Sequence, residues 1–532
     1  MKRIFTVCFV IIAFSACFKN YFKVNTDPKW SVDKLKSYGQ TPNRLVVHFN
    51  DDIKEMTNVK VENNTITGNL KNLYYGEPGM FISPDRAGTT PYKSRDKEKM
   101  LTQLHVYVND TIGTRQTYTI TEERFLSMET YAPDTGATIF SYVGGGLLVF
   151  AGMLAVSAII VAISCNCPQV YIETGPAHFE FISGMYSGAV MKTLERTDML
   201  PLTGFTPLSD TIRVRITGMP GETQYLNHAS LKQVVHPEGT EVVGTRHGDL
   251  FVVSHLETPK KVIAGNIIDR SKSVSFRDGN VYGFHVSDSA SDNSELILHY
   301  NRKNKNGKAL LVARVKNTYW GGYVYKQFKG LYGNQYATWV QQQEKDLNSG
   351  TMIWQKQQGV VMKVSVFTKR GWEYVDYFPA AGNTAPRDFA MELDLKDVEG
   401  DAVMIKLESA YRFWEVDQAA LSFDPVEEKE IENIPQLSAR VRGTDAEGSL
   451  AAKDDFYTSL EPDDQLNIEF KKDPQTQAPG IKHTYVLVLG GYYHQKAEND
   501  NAPQVKQIMK FRTPGHFHRY SMEKYNELGL VP

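Results

Sequence analysis

VVMKVSVFTKRGWEYVDYFP, residues 360 to 379, sets the fold class of this 532-residue chain. Val364, Val366 and Thr368 alternate with other side chains between Met362 and Val375, the period of two expected of a strand with one buried face. AVMIKLES (402 to 409) alternates in the same way, and RDFAMELDLKDV (387 to 398) and the stretch up to Val426 supply further strands. Such strands suit a β-sandwich, whose sheets bury every second residue. Just upstream, KALLVARVKNTYWGGYVYKQFKGLYGNQYATWVQQQEKDL, from Lys308, reads as a strand followed by an aromatic-rich helical stretch.

The same pattern extends in both directions. HFEFISG (178 to 184), TIRVRITG (211 to 218), KQVVHP (232 to 237), DLFVVSHL (249 to 256), VYGFHVSD (281 to 288) and ELILHY (295 to 300) read as strands between turn residues. LNIEFKK (466 to 472) and TYVLVLGGYYHQ (484 to 495) follow. KQIMKF then suggests a strand, Pro514-Gly515 a turn, and the region from Ser521 a short terminal helix. Nearer the N-terminus, RLVVHFN (44 to 50), VKVENNTITGNL (59 to 70), QLHVYVN (103 to 109) and TYTITEERFLSMETY (117 to 131) predict a small β domain. The Gly-, Pro- and charge-rich residues 76 to 100 predict a long exposed loop within it.

Two apolar segments break the pattern. SYVGGGLLVFAGMLAVSAIIVAISCNC (141 to 167) lies in a stretch without charges from Asp134 to Glu173. Tyr142 to Ile163 spans about 33 Å as a helix, which matches a hydrocarbon core of about 30 Å and predicts one transmembrane helix. MKRIFTVCFVIIAFSACFKN has Lys2 and Arg3, an apolar run from Ile4 to Phe14 and small residues before Cys17, the pattern of a signal peptide. Four cysteines in the whole chain build no disulfide framework. A net charge of −2 points neither to nucleic acid nor to an anionic membrane surface, and nothing in it suggests a polyanionic partner.

The expected organisation is mainly β: a signal peptide (1 to 16), a small β domain (17 to 134), a transmembrane helix (142 to 163), a β-rich domain (168 to 307), a sandwich (308 to 426) and a C-terminal β-rich region with a terminal helix (427 to 532). Sidedness is open. Counting crossings from an exported N-terminus puts Cys165 onward in the cytoplasm, whereas the β-rich, aromatic composition suits an extracytoplasmic protein.

Phe14-Ser15-Ala16-Cys17 resembles the lipobox of bacterial lipoproteins, with Phe14 in place of the usual leucine. The resemblance implies diacylation of Cys17. CPQVYIETG (167 to 175), FISGMYSGAV (181 to 190), LERTDMLPL (194 to 202), VKNTYWGGY (315 to 323) and RFWEVDQAALSF (412 to 423) resemble an uncharacterised family of bacterial envelope lipoproteins. That family carries no activity to transfer. Residues 308 to 426 also resemble, in pattern, galactose-binding-like jelly rolls.

No phosphate-binding loop, HExxH, GxSxG or GxGxxG occurs, so no cofactor is called for. Glu195 and Asp198 could act as a general acid and base, but pairing with Arg196 or turn backbone is the simpler reading. Asp288, Asp292, Asn293 and Glu295 form an oxygen-rich turn, and His516 and His518 would share one face of a strand; neither set completes a metal site. Tyr319, Trp320, Tyr323, Tyr325, Phe328, Tyr332 and Trp339 must be largely core, with one or two rings left for binding. Trp320, Tyr323 and Trp372, beside Asn317 and Arg412, are the expected ligand-binding residues, and Trp414 is expected in the core. A cell-envelope, membrane-anchored binding or assembly module for a glycan, peptide or partner protein is favoured over a hydrolase acting on an envelope polymer.

Overall fold

The computed structural model describes residues 20–27, 29–30, 44–49, 52–62, 65–72, 90–92, 103–112 and 115–133. It also describes residues 167–530 apart from 266–267, 287–291, 304–306, 346–350, 428–429 and 473–478. Cys17 and the segment 142–163 lie outside the described residues. Among the described ones, no helix is long and apolar enough to cross a membrane. The protein is mainly β, with several antiparallel sheets. It divides into two compact units: residues 1–159 with 346–353, and 160–345 with 354–532.

The first unit contains one eight-stranded sheet. Gln103–Val108 shows how its residues sort. Leu104, Val106 and Val108 enter an apolar core with Val47, Met56 and Ile66, while Gln103, His105 and Tyr107 are buried on the opposite face. There Tyr107 donates to Glu129 at 2.8 Å, and the His48 and His105 rings share a 2.8 Å hydrogen bond. Arg44–His48 runs parallel to Gln103–Val108. Asn20–Asp27 and Thr90–Tyr92 are also strands of this sheet. The first has no alternating apolar pattern to announce it, and the second falls within the expected loop.

In the second unit, strand pairing ignores the divisions expected at 307/308 and 426/427. Glu222–Pro237 pairs along its whole length with Ile481–Gln495, and Thr211–Thr217 pairs with Gln465–Lys471. The long pair bulges between Leu226 and His228, extruding Asn227. Opposite the bulge the chains run so close that a Cβ on Gly491 would lie 2.3 Å from the Tyr225 carbonyl oxygen.

The apolar run LFVV explains the layering. Leu250 and Val252 pack with Val234 and Val486 of the long pair. Phe251 and Val253 point the other way, onto Leu310, Val312 and Ala390. A strand covered on both faces needs no polar alternation. The sheet receiving Phe251 has the order Arg387–Asp394, Lys308–Asn317, Trp414–Ser422. Behind it lies a six-stranded sheet that includes Ser294–Asn301, Ala402–Ser409, Met362–Thr368 and Gly371–Phe378. Tyr300 of that sheet donates to the Ala419 carbonyl at 2.9 Å, joining the two. The sheets that contain the opening sequence therefore recruit strands from Lys261 onward, well before residue 308. Trp414 is fully buried, with its Nε1 donating to the Val360 carbonyl at 2.7 Å.

Three expectations about local structure are corrected. Of the expected strand 281 to 288, the described residues 281–286 form no strand; among them only Tyr282 makes a bridge, to Val416, and residues 287 and 288 lie outside the described residues. Residues 505–512 are helical, because Ile508 and Phe511 turn inward at helical spacing. The terminal helix starts at His516, since Gly515 adopts φ 70° and releases the chain from the Pro514 turn.

Candidate binding surface

The aromatic helix Tyr319–Gly330 begins at Thr318, whose hydroxyl accepts from the Gly321 amide at 2.8 Å. The same hydroxyl donates to the Arg412 carbonyl. A helix cap thus fastens the start of the helix to the turn between Ala402–Ser409 and Trp414–Ser422. Gly321, Gly322, Val324, Tyr325 and Phe328 form the helix's buried face. Phe328 packs against Phe511 at 4.6 Å and Phe517 at 4.9 Å. Tyr325, Tyr332, Tyr336 and Trp339 are likewise buried.

Trp320 and Tyr323, one turn apart, lie 5.2 Å from each other between the buried face and solvent. Tyr319 is 69% exposed. Trp320 Nε1 donates to Ser521 Oγ at 2.8 Å, and Ser521 passes its own proton to the Tyr411 carbonyl at 2.7 Å. Tyr525, one turn beyond Ser521, meets Trp320 edge-on at 5.1 Å. The Arg412 guanidinium stands 4.3 Å from the centre of the Tyr525 ring, and Arg412 Nε donates to the Tyr411 hydroxyl at 3.1 Å. Arg412 itself has φ 57°, a left-handed conformation that disfavours a residue with a Cβ.

Three of the five sequence-predicted residues, Trp320, Tyr323 and Arg412, therefore come together. Trp372 stands elsewhere, on the edge strand of the six-stranded sheet, packed on Phe367 at 5.2 Å with Lys406 over its ring. Asn317 is wholly buried. Its Oδ1 accepts from the Ala381 and Gly382 amides at 2.8 and 3.0 Å, so it staples a turn instead of facing a ligand. Tyr411 and Tyr525 are additions that sequence reading missed. Tyr525 stands four residues after Ser521 on a helix, but nothing in the sequence directs that helix to Trp320.

The other candidates resolve separately. Asp198 is buried and accepts from Arg196 Nε at 2.8 Å, from the Tyr186 amide at 2.7 Å and from Arg387. Burial raises its pKa, but the two guanidinium groups outweigh burial and hold it well below the usual range. Glu195 instead accepts from the Tyr457 hydroxyl at 2.7 Å and from the extruded Asn227. Asp292 pairs with Arg519 at 2.5 Å and Glu295 with Lys406 at 3.3 Å, while Asp288 lies outside the described residues. His516 and His518 open a helix and are both buried. His518 Nδ1 accepts from the Tyr411 amide at 3.1 Å. Among the described residues no group of three or more His, Cys, Asp or Glu is placed to hold a metal.

No protein-family model and no curated protein matches the chain. Among solved structures, a family 31 glycoside hydrolase, an α-xylosidase from Xanthomonas citri, is 11% identical over 62% of this chain, with a TM-score of 0.15. The chain spans 31% of that enzyme's length. A triple jelly-roll protein of an archaeal virus is 9% identical over 58% of this chain and 90% of its own, with a TM-score of 0.11. Neither likeness is close enough to carry an argument about fold or function.

Proposed function

We propose that this protein is a non-catalytic binding module of the cell envelope, anchored through Cys17 and residues 142–163, whose ligand is a glycan held on the Trp320 surface. The nine strands of the three- and six-stranded sheets are read as its jelly-roll sandwich, with the aromatic helix inserted between two of them. The observation that carries the glycan reading is the meeting of a half-exposed Trp320 with Tyr323, Tyr525 and the Arg412 guanidinium at one place. Flat rings cover the apolar faces of a sugar at little entropic cost, and adjacent donors orient its hydroxyls. A peptide or partner protein would use the same chemistry, but would call for a broader apolar face than these rings present.

A hydrolase would need a carboxyl kept protonated beside a second, ionised one. Asp388 is a carboxyl whose pKa is raised; burial raises it, while Arg277 and Arg314 pull it back. It is hydrogen-bonded to Arg314 at 2.8 Å on a sheet face, a structural pairing.

Titration of the detergent-solubilised full-length protein with polysaccharide released from envelopes tests the reading. Trp320→Ala should lower affinity by about 1–3 kcal/mol. Trp320→Phe, which keeps a ring but loses the bond to Ser521, should retain most of the binding. Equal affinity for wild type and Trp320→Ala would refute the assignment.

A further inference from the structure

Arg412 belongs to a second constellation. Its amide donates to the Phe284 carbonyl at 3.1 Å, and Phe284 also has a left-handed backbone, with φ 46°. Two bulky residues in this conformation therefore grip each other, and strain of this kind is retained where something else is fixed by it. What is fixed is a group of donors. One residue beyond Phe284, His285 Nε2 accepts from Arg270 Nη2 at 3.2 Å. Tyr282 packs against the His285 ring at 5.3 Å.

Neither arginine forms an ion pair among the described residues. Arg270 Nε is buried without an acceptor. The Tyr282 hydroxyl, on a residue that is 1% exposed, has the Val286 backbone amide beside it but no acceptor for its own proton among the described residues. Arg412 uses Nε on Tyr411 and leaves its two Nη groups with no acceptor among the described residues. Burial first, then Arg270 and Arg412, hold His285 below its ordinary pKa, so the ring is neutral. Because its Nε2 accepts, its proton sits on Nδ1, which makes it one more donor.

Cations that converge with no acid beside them among the described residues, and with buried donors unsatisfied there, form the complement of an anion. We infer that Arg270 and Arg412, with His285 and Tyr282, hold an anionic group, carboxylate or phosphate, of the glycan that lies on Trp320 and Tyr525. This inference rests on the glycan reading and names the ligand class: an acidic saccharide. Arg412 joins the two halves, since it touches Tyr525 on one side and Phe284 on the other.

The test titrates the full-length protein in detergent with tetragalacturonate, neutral galactotetraose and inorganic phosphate. The acidic tetramer should bind at least about tenfold more tightly than the neutral one, as charge-assisted bonds to a guanidinium require. Arg270→Gln should erase that preference while leaving the neutral sugar bound. Arg412→Gly, which removes the side chain and suits the left-handed backbone, should also erase the preference, here with weaker binding of the neutral sugar as well, and with an unchanged melting temperature. Phosphate that binds and is lost in both variants, when the uronate does not bind, assigns the anion as phosphate. Equal affinity of the wild type for both tetramers, unchanged in Arg270→Gln, overturns the anion site and leaves the aromatic platform standing. No binding of either tetramer or of phosphate overturns both readings.

Discussion

Of the places in the second unit where described arginines come together, two do so to opposite ends. Arg196 and Arg387 converge on Asp198, which is buried between them and also receives the Tyr186 amide. Arg270 and Arg412 converge on a neutral imidazole and aromatic rings. In the first cluster the charge is answered within the fold. In the second no acid among the described residues answers it, and two left-handed residues hold the arrangement in place. Burying a charge costs several kcal/mol unless it is paired, so the first cluster is a structural clamp. The second is tolerable because both arginines are half-exposed and Arg412 lies against the Tyr525 ring.

The largest expected effect breaks the clamp. Asp198→Asn leaves two buried guanidinium groups without their counter-charge and should cost about 3–5 kcal/mol by urea denaturation at pH 7. Because the folded pKa of Asp198 is depressed, its contribution is present above the unfolded value near 4 and is lost as pH falls below it. The gap between wild type and Asp198→Asn should therefore narrow below about pH 4. A gap that is constant down to pH 2.5 would show that charge pairing is not what Asp198 contributes.

A middle-sized effect comes from His518, a buried cation site of a third kind, one that empties by losing its proton. Burial, with Arg519 nearby, brings it down to about 4. Between roughly pH 4 and 6.5 the unfolded chain therefore binds a proton that the folded one refuses, and stability must fall as pH is lowered through that window. The loss should reach about 3 kcal/mol, and His518→Gln should flatten the slope whatever its effect at pH 7. An unchanged slope in that variant would assign the acid sensitivity to other groups.

The smallest effect sharpens the comparison. Arg270→Gln removes no ion pair, so the melting curve should move by less than about 0.5 kcal/mol in either direction. A loss comparable to that of Asp198→Asn would mean that Arg270, too, is a structural charge.

Much of the strand inventory was legible because a half-buried strand writes its period into the chain. Val364, Val366, Ile405 and Leu407 are all buried, as their alternation required. The aromatic helix was legible from its run of rings, and so was the split between its buried Tyr325 and Phe328 and its outward Trp320 and Tyr323 in kind, though not residue by residue. Asn317 misled because its place before the aromatics looked like a ligand-facing amide, whereas the Ala381 and Gly382 amides needed an acceptor. Trp372 misled because an outward ring on a strand and an outward ring on a helix look alike in sequence. The strand Asn20–Asp27 and the helical turn at residues 505–512 escaped because neither carries a clean period over enough residues.

By itself the sequence determined the mainly β class, the placement of the helical insertion and the residue types able to form a binding surface. Local periodicity and side-chain chemistry are properties of neighbouring residues, and these can be read in order along the chain. Only the tertiary structure decided which arginines are answered and which are left open. Arg270, His285, Arg412 and Tyr525 come from segments up to 255 residues apart in the numbering, and Arg196 meets Arg387 in the same way. Whether a charge is neutralised depends on what the fold places within a few ångströms of it, because electrostatic energy falls with distance in space and takes no account of separation along the chain.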